Sequence, residues 1–324
     1  MNRRNFIGLT AAVATGGYAA LKTSELGKEQ NVTDGPPGKS AVAVLKATSY
    51  SADLVQPMLE GVRACGLNVR GKRVLLKPNL VEFDSATCIN TDARVIAAAY
   101  EVMEKLGAAE ILIGEGPGHR RDTYDLASEA QYFASVPDFE RRFTDLNRDD
   151  VRPVSGFAEE ATFYFPQTAL RADLIVSLAK MKTHHWAGAT LSMKNLFGLV
   201  PGSVYGWPKN KLHYIGIAES IVALNAQFRN TFAIVDGIIG MEGNGPIQGR
   251  PKQAGVLVMG GDVAAVDATC CRIMGIDPEK VDYLRLASQL GHIRPDRIEQ
   301  RGETIQEVHT RFELIGAFER LRLA

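Results

Sequence analysis

The feature that most constrains this chain is a repeated one. Short, almost wholly apolar runs at residues 41–45, 73–77, 110–114, 172–178, 231–235 and 255–259 are separated by stretches of helical periodicity, such as residues 52–64, 93–106 and 263–274. A strand that is apolar on both sides must be covered on both sides, and strands alternating with helices build a mostly parallel sheet. The expected fold is therefore α/β, a mostly parallel doubly wound sheet with helices on both faces. Residues 120–170, rich in charges and aromatics with weak strand signals, read as an inserted cap segment within a single domain spanning residues 42–324.

Five of the runs stop in polar or glycine-rich sequence: Lys77-Pro78-Asn79, Gly114-Glu115-Gly116-Pro117-Gly118-His119, Lys180-Met181-Lys182-Thr183-His184-His185, Asp236-Gly237 and Gly260-Gly261-Asp262. In open α/β sheets ligands bind in the crevice outside the carboxyl ends of the strands, so five such ends predict one site assembled from many loops. Lys77, Glu115, Lys180, His184, Lys194, Asp236 and Asp262 are expected to converge there, with Asp262 also suited to capping the helix that follows it. Lys77, Lys180 and Lys182, with Asn79 and Asn195, are candidate ligands for a carboxylate or phosphate, the chemistry that several ammonium groups at one edge would neutralise. His184, His185, His213 and Lys194 are candidate catalytic groups, because imidazoles transfer protons near neutrality and a lysine can hold an anion or carry an adduct. Asp236, Glu242 and Glu115 supply hard oxygens for a divalent metal, the cofactor this set would hold. His119 is a weaker candidate, and His292 and His309 read as surface residues.

Two familiar phosphate devices are missing. The glycine-rich stretch from Asp236 to Pro246 lacks the Gly-Lys-Ser/Thr of a P-loop, and Pro117 spoils a dinucleotide fingerprint at Gly114–Gly118. Thirty-seven basic residues balance thirty-seven acidic ones, so no nucleic-acid partner is indicated. Cys65, Cys88, Cys270 and Cys271 make no C-x-x-C spacing, and the adjacent pair reads as core packing.

Some of these segments resemble known sequences. Asn2-Arg3-Arg4-Asn5-Phe6-Ile7-Gly8, followed by a mildly apolar run too short to span a bilayer, is similar to a twin-arginine export signal over residues 1–30, with residues 31–41 as a linker. The resemblance implies the twin-arginine export machinery as a partner, a periplasmic location, tethering to the membrane if the signal is uncleaved, and otherwise no stable span. Lys77-Pro78-Asn79-Leu80-Val81, Leu178-Ala179-Lys180-Met181-Lys182-Thr183-His184, Lys194-Asn195-Leu196-Phe197-Gly198, Val235-Asp236-Gly237 with Met241-Glu242-Gly243, and Gly261-Asp262 with Asp267-Ala268 together resemble the bacterial and archaeal family called domain of unknown function 362. Some members carry ferredoxin-type four-cysteine motifs; no such run occurs here, so no iron–sulfur cluster is expected. His184, Gly188, Lys194 and Leu199-Val200-Pro201-Gly202 are also similar to a stretch of nickel-pincer lactate racemases. That likeness implies a metal or proton-transfer role for His184, a cofactor tether at Lys194 and a second acid/base at His213.

The function expected from the whole is an exported protein binding a small anionic ligand in a cleft at the strand ends, an enzyme doing lysine- and histidine-assisted, metal-assisted chemistry. The alternative is a non-catalytic cofactor- or metal-carrying binding protein, or a relative of the pincer racemases.

Overall fold

The structure, a computed structural model, describes residues 32–323. The signal expected over residues 1–30 lies outside them. The chain forms a nine-stranded sheet from β1 (Ser40–Lys46), β2 (Arg73–Pro78), β3 (Glu110–Glu115), β4 (Phe143–Asp145), β7 (Leu174–His184), β8 (Gly188–Thr190), β9 (Thr231–Asn244), β10 (Gln248–Gly260) and β11 (Ile298–Gly302), while β5 (Val151–Val154) and β6 (Phe163–Pro166) make a separate hairpin. The order is β11-β1-β10-β9-β7-β2-β3-β4, with β8 paired on β7. Neighbours β9, β7, β2, β3 and β4 are parallel, as are β1 and β11; β10 runs against both its neighbours.

Alternate residues of one strand enter different cores, which is what a sheet covered on both faces requires. Val42, Val44, Leu75, Ile175 and Val235 belong to one apolar cluster with the helices Ile217–Gln227 and Val263–Ile273. Ala43, Val74, Leu76, Val176 and Ile234 belong to the other, with the helices Val55–Ala64 and Ala93–Lys105. The helix Ala93–Lys105 starts where Asp92 accepts a hydrogen bond from Arg94 N, and Val263–Ile273 starts where Asp262 accepts from Ala265 N.

Residues 120–170 contribute several short helices, the edge strand β4 and the β5–β6 hairpin, whose Phe163 and Phe165 are fully buried. The described part of the expected linker packs on the domain: Thr33 N donates to Ser288 Oγ at 3.0 Å, and a ring nitrogen of His292 donates to Pro36 O at 2.7 Å. His292 is therefore buried rather than a surface residue. Among the described residues no helix is long and apolar enough to cross a membrane.

One expectation is corrected by strand direction. Because β10 is antiparallel, its carboxyl end emerges at the edge opposite the other four, and Asp262 lies far from them in the sheet. It accepts from Ser40 Oγ, His292 N and Ala265 N, which makes it a cap and a tie to β1. An apolar run reads the same in either direction, so only pairing could reveal this.

Candidate functional site

At the parallel carboxyl ends lies a cleft of about 470 Å³. Lys182, His184, Lys194, Lys209, His185 and His213 all line it, the first two from β7 and Lys194 from the short helix Ser192–Asn195. The strand β7 extends well past Leu178, so that the lysines and His184, read from sequence as a following loop, sit inside a strand whose eleven residues are all buried. A register irregularity against β9 between Lys180 and Lys182 sends the two lysines to different places.

Lys180 does not reach the cleft. Its Nζ pairs with Asp236 Oδ2 at 2.9 Å and donates to the Tyr50 hydroxyl at 2.8 Å, beside a second cavity of about 510 Å³. Lys77 lies beneath the cleft, fully buried, donating to Glu115 Oε2 at 2.6 Å, Pro78 O at 3.0 Å and Asn195 Oδ1 at 3.2 Å. Burial pulls its ammonium pKa down and the Glu115 carboxylate opposes that pull. Asn195 returns hydrogen bonds to Lys77 O and Ser177 Oγ, and Asn79 joins it at 3.3 Å, so these residues form the floor. A Cβ at Gly198 would overlap Glu115 Oε1 and lie 2.6 Å from Lys77 Nζ, which is why this position has no side chain.

The three carboxylates foreseen as a metal site do not come together. Glu115 is taken by Lys77, Asp236 by Lys180, and Glu242 accepts from Glu313 N at 2.9 Å while facing Lys252 at 3.5 Å. Among the described residues no group of three or more His, Cys, Asp or Glu could hold a metal ion. Three of the glycines of residues 236–246 sit at close contacts: a Cβ at Gly237 would lie 2.8 Å from Met181 Cε, one at Gly240 2.7 Å from Met181 O, and one at Gly245 would overlap Thr183 O.

The cations at the cleft differ from Lys77 in having no carboxylate. Lys182 Nζ donates to Asn79 Oδ1 at 2.7 Å, Ile89 O at 2.9 Å and Pro246 O at 3.4 Å. Lys209, which the sequence reading did not single out, donates to Asn147 Oδ1 at 2.6 Å and to Val200 O. Lys194 has neither acceptor nor ion-pair partner among the described residues; its Nζ rests 3.5 Å from the centre of the Phe197 ring, and the half-buried residue lines the cleft. Burial lowers the pKa of each to about 7, and the charges of Lys180 and Lys77 add to the effect at Lys182 and Lys194 respectively. Thr190 is buried with its hydroxyl unpartnered at the cleft wall, another group without a sequence signal beyond its place beside β7.

Backbone contacts fix the histidine tautomers. His184 Nδ1 accepts from Trp186 N at 2.9 Å and Ala187 N at 3.2 Å, so the proton of the neutral ring is on Nε2, and burial followed by the Lys194 charge holds its pKa well below the ordinary value. His185 Nδ1 donates to Gly245 O at 2.7 Å, which leaves the Nε2 lone pair of the neutral ring free. His213 does the same toward Lys209 O at 3.3 Å, its pKa lowered by burial. One imidazole can donate while two can accept. His119, also on the cleft, is half-exposed beside Glu82.

Residues 74–272 match the family described as domain of unknown function (DUF362). A thylakoid-associated protein of Synechocystis sp. is 28% identical over 266 residues, 78% of this chain and 79% of that protein. The lactate racemase apoprotein of Thermoanaerobacterium thermosaccharolyticum superimposes with a TM-score of 0.44 at 11% identity, covering 74% of this chain and 57% of that one. This chain thus spans little more than half of the racemase's length.

Proposed function

The chain belongs to the DUF362 family, and from that footing we propose that its cleft binds a small organic anion and moves protons on it. The observation that carries this reading is Lys194: a cation facing a cavity with no acceptor of its own, with two further lysines close behind that also lack carboxylates. An anion supplies the missing counter-charge. Lys194, the Thr190 hydroxyl and His184 Nε2–H would donate to it, and the free Nε2 of His185 or His213 would take a proton from it or from a bound water.

Titration calorimetry with acetate, oxalate and phosphate tests the reading. Lys194→Met should weaken the best of these by about 1.5–3 kcal/mol, roughly tenfold to a hundredfold, the worth of a hydrogen bond to a charged group. Lys39→Met, at an exposed position, should leave binding unchanged. Equal binding by both variants, or no binding of any of the three anions by the unaltered protein, removes the proposal. Export by the twin-arginine route is proposed alongside it, on the residues 1–30 alone; paired Arg3→Lys and Arg4→Lys changes should retain the protein in the cytoplasm, as cell fractionation would show.

A further inference from the structure

Lys182, Lys194 and Lys209 share one cleft but not one situation. Lys182 and Lys209 spend their N–H groups on carbonyl and amide oxygens, which tie their head groups in place. Lys194 spends none. Its head group sits over an aromatic face, partly open to the cleft, with two imidazoles whose Nε2 atoms can accept a proton and a third that can donate a hydrogen bond. An amine that is desolvated, unanchored and near another cation, as Lys194 is near Lys77, loses its proton more readily than a solvated one, and its lone pair is then available. A pKa lowered to about 7 agrees with this geometry.

We propose that Lys194 is a nucleophile that carries a small anionic aldehyde or 2-oxo acid as an imine. This rests on the reading that the cleft binds small anions and names the class of anion. The Lys194 nitrogen lone pair forms a bond to the carbonyl carbon while the carbonyl π electrons move to oxygen, where the His184 Nε2–H can stabilise the developing charge. His185 or His213 removes a proton from that nitrogen and returns it to the oxygen, giving a neutral carbinolamine. The imidazole takes a fresh proton from solvent and gives it to the hydroxyl, which leaves as water as the nitrogen lone pair expels it; the protonated imine so formed returns that proton when it becomes the neutral imine. One amine and one carbonyl become one imine and one water, with nothing oxidised or reduced. In its protonated form the imine keeps a positive charge where the ammonium stood, so the carboxylate of the bound molecule retains its partner.

The test uses glyoxylate as the probe and sodium cyanoborohydride to reduce any imine to a stable amine at pH 7, with peptide mass spectrometry to place it. A solvated lysine is neutral in only about one part in a thousand at this pH, so Lys194 should be labelled on the order of a hundredfold to a thousandfold faster than exposed lysines. Oxalate, which cannot form an imine, should slow that labelling. Lys194→Arg keeps the charge without the nucleophile and should abolish the fast phase. Labelling spread evenly over exposed lysines, or a fast phase that survives in Lys194→Arg, overturns the inference. If any of acetate, oxalate and phosphate binds and no fast phase occurs, the imine falls and anion binding stands; if none of the three binds either, both fall.

Discussion

Lys77 and Lys194 carry the same head group on adjoining elements with opposite consequences. The first is sealed against Glu115 and Asn195, the second is open to a cavity. A buried ion pair adds little net stability, yet removing one partner leaves an uncompensated charge at a cost of about 3–5 kcal/mol. Glu115→Gln, which preserves shape, should therefore lower the urea midpoint strongly at pH 7, and the double change Lys77→Met with Glu115→Gln should recover much of the loss. If Glu115→Gln unfolds at the same urea concentration as the unaltered protein, Lys77 is not held as a cation. Sequence pointed to Lys77 because an ammonium between an apolar strand and a proline must line a cleft or find a partner, and to Lys194 because it follows the His184–His185 pair. It could not tell which would find one, since Glu115 comes from a different strand thirty-eight positions away.

At the scale of elements, the strands β1, β2 and β3 are legible almost to the residue, because apolar β-rich runs end abruptly at polar sequence. The strand β7 is legible only in its first half: reading a polar residue as a strand's end fails where the polar side chains are themselves buried and hydrogen-bonded. The three-residue β4 and the exposed edge β11 give too little apolar signal. The carboxyl-end rule that reached Lys77 and Asp236 extends to β1, whose following segment holds Tyr50, the hydrogen-bond partner of Asp236 and Lys180. In β9, two of the glycines that suggest an anion cradle, Gly237 and Gly240, prove to be contact points. A Cβ at Gly240 would sit 2.7 Å from Met181 O and 2.9 Å from Phe312 Cζ. Gly240→Ala should therefore cost about 1–3 kcal/mol, as other overpacked cores do, seen as a lower urea midpoint at unchanged slope. An unaltered midpoint would mean that the β7–β9 contact has slack and that the glycines are there for another reason.

For the whole molecule, three lysines with folded pKa values of about 7 make stability depend on pH in a defined direction. In the unfolded chain each titrates near 10.4, so above pH ~7 the unfolded state binds more protons than the folded one, and stability rises with pH by up to about 1.4 kcal/mol per unit for each lysine. Below pH ~7 all three are charged in both states and the full cost of burying the charge is present. The rise is bounded above by the thiols: burial raises Cys65, Cys88, Cys270 and Cys271, so once the unfolded chain loses those protons near pH 8.5 their contribution runs the other way. Between pH 7 and 8.5 the ligand-free protein should gain stability in urea, and Lys194→Met should flatten the gain by one proton's worth. A saturating anion restores the charged form of Lys194 and should stabilise more at pH 7 than at pH 8.5, with proton uptake on binding measurable as a buffer-dependent heat. A stability that stays level or falls across this interval would show that the cleft lysines keep ordinary pKa values, and Lys194 would then stay charged near neutrality with no free lone pair to attack a carbonyl.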